Sequence, residues 1–211
     1  MSFSHSSIKT YEQCPLKYKL SRIDKLKEEA GPAAERGKDI HYAFEQALVS
    51  LPVLHEDFEF WYDYVTELRE KNVQAELTFG ITKDWEPCDF NYANVWLRGI
   101  FDAIYITEDT AHILDWKTGK SRNYSEQLKL YAAIAFALYP SIKQVTTEVC
   151  YIDLKKREAY GTYTREDFTT LKTWIDNRIG KIISDDIYAP KPSFGCRWCG
   201  FRKSNGGPCK W

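Results

Sequence analysis

Asp102, Asp115 and Lys117 are the residues whose types and spacing best suit chemistry on a phosphodiester. Asp102 interrupts the apolar stretch Leu97-Arg-Gly-Ile-Phe-Asp-Ala-Ile, where an unpaired charge is costly. Asp115 and Lys117 stand two apart at the end of Ile113-Leu-Asp-Trp-Lys, so in a strand both side chains leave the same face. Two carboxylates can hold Mg²⁺ or Mn²⁺, which polarises a phosphate and acidifies water, and a lysine offsets charge growing on the phosphate. Alone, Asp-Trp-Lys is also what an ordinary surface ion pair looks like. It has company: Arg36-Gly-Lys-Asp-Ile-His41, Glu76 at the start of a strand, and Gln127-Leu-Lys-Leu-Tyr131. Gln127 and Tyr131 are four apart and share one face of a helix.

A second set of reactive side chains is formed by cysteines. Cys196-Arg-Trp-Cys199 and Cys209 lie near the C-terminus, and Cys14 is a plausible fourth member from the other end. Two sulfurs in a C-x-x-C loop can reach one ion or one cluster. An iron–sulfur cluster, zinc, and four unmetallated thiols all remain open on spacing alone. Cys88 and Cys150 have no partner spacing and read as small hydrophobes.

The elements that must position these groups follow from periodicity. Ser4 or Ser6 can cap a helix through Ile8 and Tyr11 toward Leu20, perturbed by Pro15. Gly31-Pro32 marks a break; residues 33–50 and 56–71 are helical. Residues 73–79, 95–106 and 111–116 read as strands, 124–139 as a helix buried on more than one side, 145–153 and 159–163 as strands, and 165–184 as a last helix. This order predicts an α/β chain, a central mixed sheet flanked by helices. At 211 residues it predicts a single domain over 1–211. Residues 31–184 would be its core, with 1–30 and 185–211 brought together by the cysteines.

No apolar run approaches the roughly 18 residues that span a bilayer, and the N-terminus lacks a signal-peptide pattern, so a cytoplasmic protein without a membrane partner is expected. Net charge is only −1, which excludes a globally basic nucleic-acid binder. Its distribution is uneven. Lys17, Lys19, Arg22, Lys25 and Lys27 face a single acid, Asp24, within residues 15–27. Lys191, Arg197, Arg202, Lys203 and Lys210 face none within 189–211. Two basic ends on an acidic body can form one phosphate-binding surface. Lys17, Lys19, Arg22, Arg36, Lys120, Arg122, Arg197, Arg202 and Lys203 are the candidate DNA contacts.

Taken in order, these motifs resemble the RecB-type branch of the PD-(D/E)XK nuclease superfamily, similar to the AddB nuclease domain and the CRISPR-associated iron–sulfur exonucleases. The resemblance runs from Ser4-His-Ser-Ser-Ile-Lys-Thr-Tyr-Glu-Gln-Cys-Pro to the terminal cysteines. It implies the restriction-endonuclease-like core. It also implies His41, Asp102, Asp115 and the Trp116 carbonyl as ligands of Mg²⁺ or Mn²⁺, with Lys117 catalytic. Gln127 and Tyr131 would orient DNA or the lysine, and Glu76 would be a further acidic position. For Cys14, Cys196, Cys199 and Cys209 the resemblance implies a [4Fe–4S] cluster, with Zn²⁺ the alternative. The expected activity is metal-dependent exonucleolytic cleavage of single-stranded DNA ends. Long duplex would require a helicase or recombination partner. Repair, recombination, phage DNA processing (in a phage-encoded setting) and CRISPR adaptation are all open as pathways. A scaffold subunit that kept the fold, or a hydrolase of small phosphates, are the competing functions.

Overall fold

Asp102 and Asp115 stand on two adjacent strands, β3 (Leu97–Thr107) and β4 (Thr110–Lys117), which form an antiparallel hairpin paired from Thr107↔Thr110 to Ala103↔Leu114. The computed structural model describes residues 1–28, 31–50 and 54–211, so residues 29 and 30 of the expected N-terminal segment lie outside it. The chain divides into two compact units, Met1–Ser2 with Pro32–Thr173, and Phe3–Gly31 with Trp174–Trp211.

The first unit holds a six-stranded mixed sheet in the order β2-β1-β3-β4-β5-β6. Its other strands are β1 (Gln74–Ile81), β2 (Pro87–Cys88), β5 (Gln144–Tyr151) and β6 (Lys156–Thr164). Only β4 and β5 are parallel, and helix α5 (Ser125–Leu138) is their crossover. The two-residue β2 is the strand that periodicity does not find, because two residues carry no period. Helices α3 (Pro32–Val49) and α4 (Tyr62–Glu70) pack Ile40, Phe44, Val65 and Leu68 with Ala103, Leu114, Trp116 and Cys150 of the sheet. Nine consecutive or near-consecutive residues of α5, Leu128 and Leu130–Ala137, are buried, as its all-round apolar sequence requires. Arg165 closes the C-terminus of that helix, donating to the carbonyls of Phe136, Tyr139 and Ile142 at 2.6–2.9 Å.

The second unit contains α1 (His5–Gln13), α2 (Pro15–Tyr18), one π-helical turn over Lys19–Ile23, and α6 (Phe168–Ile183) from Trp174 onward. Ser4 caps α1 through a reciprocal pair with Ser7. The expected longer helix breaks at Cys14, which is extended (φ −162°, ψ 108°) because it precedes Pro15. Arg178 grips the Glu12 carboxylate at 2.5 and 2.6 Å, and Tyr18 stacks on Tyr188. Among the described residues no helix is long and apolar enough to cross a membrane.

Candidate active site

Beyond the Ala103↔Leu114 pair, the next residues of β3 and β4 are Asp102 and Asp115. The Trp116 N–H donates to Asp102 Oδ2 at 2.8 Å, which fixes that carboxylate. Asp115 is fully buried; its Oδ1 accepts from Gln127 Nε2 at 2.9 Å and its Oδ2 lies 2.5 Å from Lys117 Nζ. Gln127 Nε2 also donates to Tyr131 Oη at 3.1 Å, so the two α5 residues act together on Asp115. Lys117 lies over the ring of Tyr124, 5.1 Å from its centroid.

His41 reaches this cluster from α3. Its Nε2 donates to the Trp116 carbonyl at 2.9 Å, which leaves Nδ1 facing Glu76 Oε1 at 3.7 Å and Asp102 Oδ1 at 3.6 Å. Glu76 sits between the pairs Ala75↔Ala103 and Leu77↔Phe101, so by register it faces Asp102 across β1 and β3. It holds φ at +48°, a conformation that costs a non-glycine residue about 1–2 kcal/mol. Donor atoms of His41, Glu76 and Asp102 all lie within 4.8 Å of one another, the only such three-donor set among the described residues. The looser sequence assignment, Glu76, is therefore inside this set, whereas Asp115 is turned to Lys117 and Gln127.

The electrostatics are those of a site short of positive charge. Burial and the neighbouring Asp115 push Asp102 up to about 7. Burial alone would lower His41, but the facing Glu76 and Asp102 carboxylates outweigh it and raise it. Lys117 is likewise raised, because Asp115 and Asp102 outweigh its burial. Tyr131 is raised well above its ordinary value by burial and then by Asp115. Three carboxylates, one imidazole nitrogen and hard oxygen donors match a divalent cation better than a soft metal.

The family model of the PD-(D/E)XK nuclease superfamily matches residues 2–204. The chain belongs to that superfamily. It is accordingly a nuclease whose substrate is nucleic acid, and nucleases of this superfamily use divalent metals. Two solved structures share its fold. SSO0001 is 16% identical, with a TM-score of 0.50 over 100% of this chain and 87% of that one. A candidate exonuclease from Eubacterium rectale is 11% identical, with a TM-score of 0.51 over 86% of this chain and 80% of that one. No curated protein sequence matches the chain.

The second reactive set lies in the other unit. Cys14, Cys196, Cys199 and Cys209 line one cavity of about 340 Å³ together with Lys17, Lys191 and Arg202. Cys14 Sγ accepts from the Lys191 N–H at 3.4 Å and Cys196 Sγ from the Ser193 N–H at 3.3 Å. Of the expected DNA contacts, Arg22, Lys120, Arg122, Arg197 and Lys203 are exposed. Arg202 is half-buried at the cysteine cavity. Lys17 pairs with Glu28, Lys19 with Asp24, and Arg36 with Asp153. Sequence reasoning did not single out Asp153 or Tyr124. Asp153 reads as a strand end, and only its partners across the fold distinguish it.

Proposed function

We propose that the protein is a Mg²⁺- or Mn²⁺-dependent deoxyribonuclease that degrades single-stranded DNA from its ends. The convergence of His41, Glu76, Asp102, Asp115 and Lys117 at one end of the sheet carries this reading. His41, Glu76 and Asp102 would hold the cation, with Asp115 as an adjoining carboxylate. A divalent cation, when bound, supplies Lewis acidity toward a phosphoryl oxygen and makes water more acidic. Asp115 keeps Lys117 charged and fixed, and Gln127 and Tyr131 keep Asp115 from rotating. Lys117 thus offers a preorganised positive charge to the phosphate as its own charge grows. The Trp116 carbonyl holds the His41 ring so that Nδ1, when neutral, would turn its lone pair toward a cation held by the carboxylates.

The four cysteines are proposed to bind a [4Fe–4S] cluster that clamps the first and last segments of the chain. Two backbone N–H groups aimed at sulfur support this, since such bonds stabilise thiolate ligands. All four cysteines line one cavity, and Zn²⁺ held by the same four thiolates is the alternative occupant. The single-strand preference is supported by Phe194 and Trp198, exposed aromatic rings flanking Arg197. Unpaired bases stack on such rings, and paired bases are not free to do so. Attack at ends follows the description of the Eubacterium rectale neighbour. Long duplex would need a helicase or recombination partner to expose a strand.

Incubation with end-labelled oligonucleotides in Mn²⁺, Mg²⁺ or EDTA, beside Asp115→Ala, tests the reading. Metal-dependent shortening from one end that vanishes in the variant is expected. Folded, metallated protein that leaves the strand intact would instead make this a binding subunit.

A further inference from the structure

The end of β5, the turn after it and β6 together touch the stretch from Lys117 to Arg122 at three places. The Ile152 N–H donates to the Lys117 carbonyl at 2.8 Å. Asp153 Oδ2 accepts from the Gly119 N–H at 2.6 Å. Tyr160 Oη donates to the Arg122 carbonyl at 2.7 Å, with Tyr151 Oη within 3.1 Å of that carbonyl and 2.7 Å of its neighbour. Gly119 has φ +78°, a left-handed turn that glycine adopts without strain, so the chain can present this N–H to Asp153.

Asp153 also reaches α3. Both its oxygens receive the Arg36 guanidinium, Oδ1 from Nη2 at 2.6 Å and Oδ2 from Nη1 at 3.0 Å. Arg36 lies five residues before His41 on the same helix, and Gly119 two after Lys117. A Cβ added at Gly37 would come within 3.7 Å of Thr118 Oγ1, so this part of the helix runs close to the loop. One carboxylate thus accepts three hydrogen bonds and joins the helix bearing the histidine to the loop behind the lysine. An exposed ion pair adds at most about 1 kcal/mol to stability, so its value here is geometric. The bidentate fork fixes direction as well as distance.

We propose that Asp153 is a positioning residue for cleavage, holding Arg36 and Gly119 so that His41 and Lys117 keep their separation. The proposal rests on the nuclease reading of the Lys117 site. It takes Arg36, expected from the sequence to contact DNA, as a strut. Asp153→Ala should lower kcat about 10- to 100-fold, the usual loss when supporting partners of a site are removed. KM and its salt dependence should change less than about twofold.

Arg36→Ala should reproduce that loss, and the double variant should be no worse than the worse single, because both break one connection. Asp153→Asn, which keeps an acceptor but not the charged fork, should fall between, and Asp153→Glu should recover part of the rate. Amide hydrogen exchange should quicken across residues 118–122 in Asp153→Ala while the α5 amides stay protected. Cleavage within twofold of the unaltered protein, additive losses, or unchanged exchange at 118–122 would overturn the proposal. So would an Arg36→Ala variant whose loss is all in KM with a shallower salt slope, the mark of a phosphate contact. If Asp115→Ala cleaves as well as the unaltered protein, the nuclease reading falls and the strut with it. That result is distinct from an Asp153 variant that stays active while Asp115→Ala does not.

Discussion

The acidic site and the cysteine cavity are built on opposite principles. Every acidic-site side chain except Glu76 comes from the body or end of a strand or a long helix in ordinary geometry, and each is held by a named partner. The cysteines sit at a helix break, in a short 3-10 turn and in loops. The first site is tied together by side-chain and backbone hydrogen bonds on the sheet and its helices, and it crowds three carboxylates. The second is a cavity lined by four cysteines that belong to loops and short turns. Loss of one side chain should therefore remove chemistry in the first unit and order in the second.

The sharpest way to break this comparison is Lys117→Ala. Removing a preorganised charge from a nuclease site costs roughly 10²- to 10³-fold in kcat. Cleavage should fall by at least that much while DNA binding, read by gel shift, and the circular dichroism of the fold persist. Collapse of the fold instead would show that the pair with Asp115 is structural and that the site is not independent of its occupants.

Cys199→Ser probes the other half. Metal-dependent small modules lose most of their folding energy with the metal. Limited proteolysis should therefore open the segment 185–211 while the sheet remains resistant, and iron with its visible absorbance should be lost. Zinc in a colourless protein would replace the cluster by a single ion. A fully stable, metal-free variant would end the clamp.

How far each region could be read in the sequence follows from the same contrast. Strand and helix periods put Asp115 with Lys117 and Gln127 with Tyr131 on shared faces, Asp102 stood out by interrupting an apolar strand, and the roles given to them came from the resemblance. The superfamily and the mixed sheet followed from their order. Glu76 was only loosely legible, since its place depends on a positive φ that no pattern announces. Asp153 and the tyrosines of β5 and β6 were not legible, because their partners lie 29 to 117 residues away. The expected helix toward Leu20 is present in two pieces, His5–Gln13 and the helical backbone from Pro15 to Ile23, with a break at Cys14. Pro15 was seen as a perturbation, yet its effect on the preceding residue is what stops the helix.

The crowding itself can be measured through pH. Asp102 titrates near 7 in the folded protein against 3.8 as an ordinary carboxyl, so between those values the folded state holds the extra proton. Stability then falls as pH rises through that window. His41, also raised, has the same sign: its contribution is complete below 6.5 and is lost at higher pH. Chelator-treated protein should lose several degrees of Tm between pH 5 and pH 8, Asp102→Asn should flatten that slope, and Mn²⁺ should stabilise more at pH 8 than at pH 5. A Tm that rises with pH in the chelated protein would mean that the carboxylates are not crowded.

The smallest effect concerns the surface of the second unit. Phe194 and Trp198 are 74% and 65% exposed, yet they pack edge to face with centroids 5.0 Å apart and with Arg197 beside both rings. Rings held together at a surface are available to stack on an unpaired base. Residues 189–211 carry no acid, and Glu28, which accepts from the Gly200 N–H, is paired with Lys17, so a nucleic-acid strand complements this segment better than an acidic one would. Stacking of one base on an exposed ring is worth about 1 kcal/mol at its lower end, which is roughly fivefold in affinity. Trp198→Ala should therefore weaken binding of a single-stranded oligonucleotide about fivefold, leave duplex binding within twofold, and leave single-turnover kcat unchanged. An equal loss for both strands would assign Trp198 to the walls of the cysteine module, and the single-strand preference would then have to arise at the acidic site.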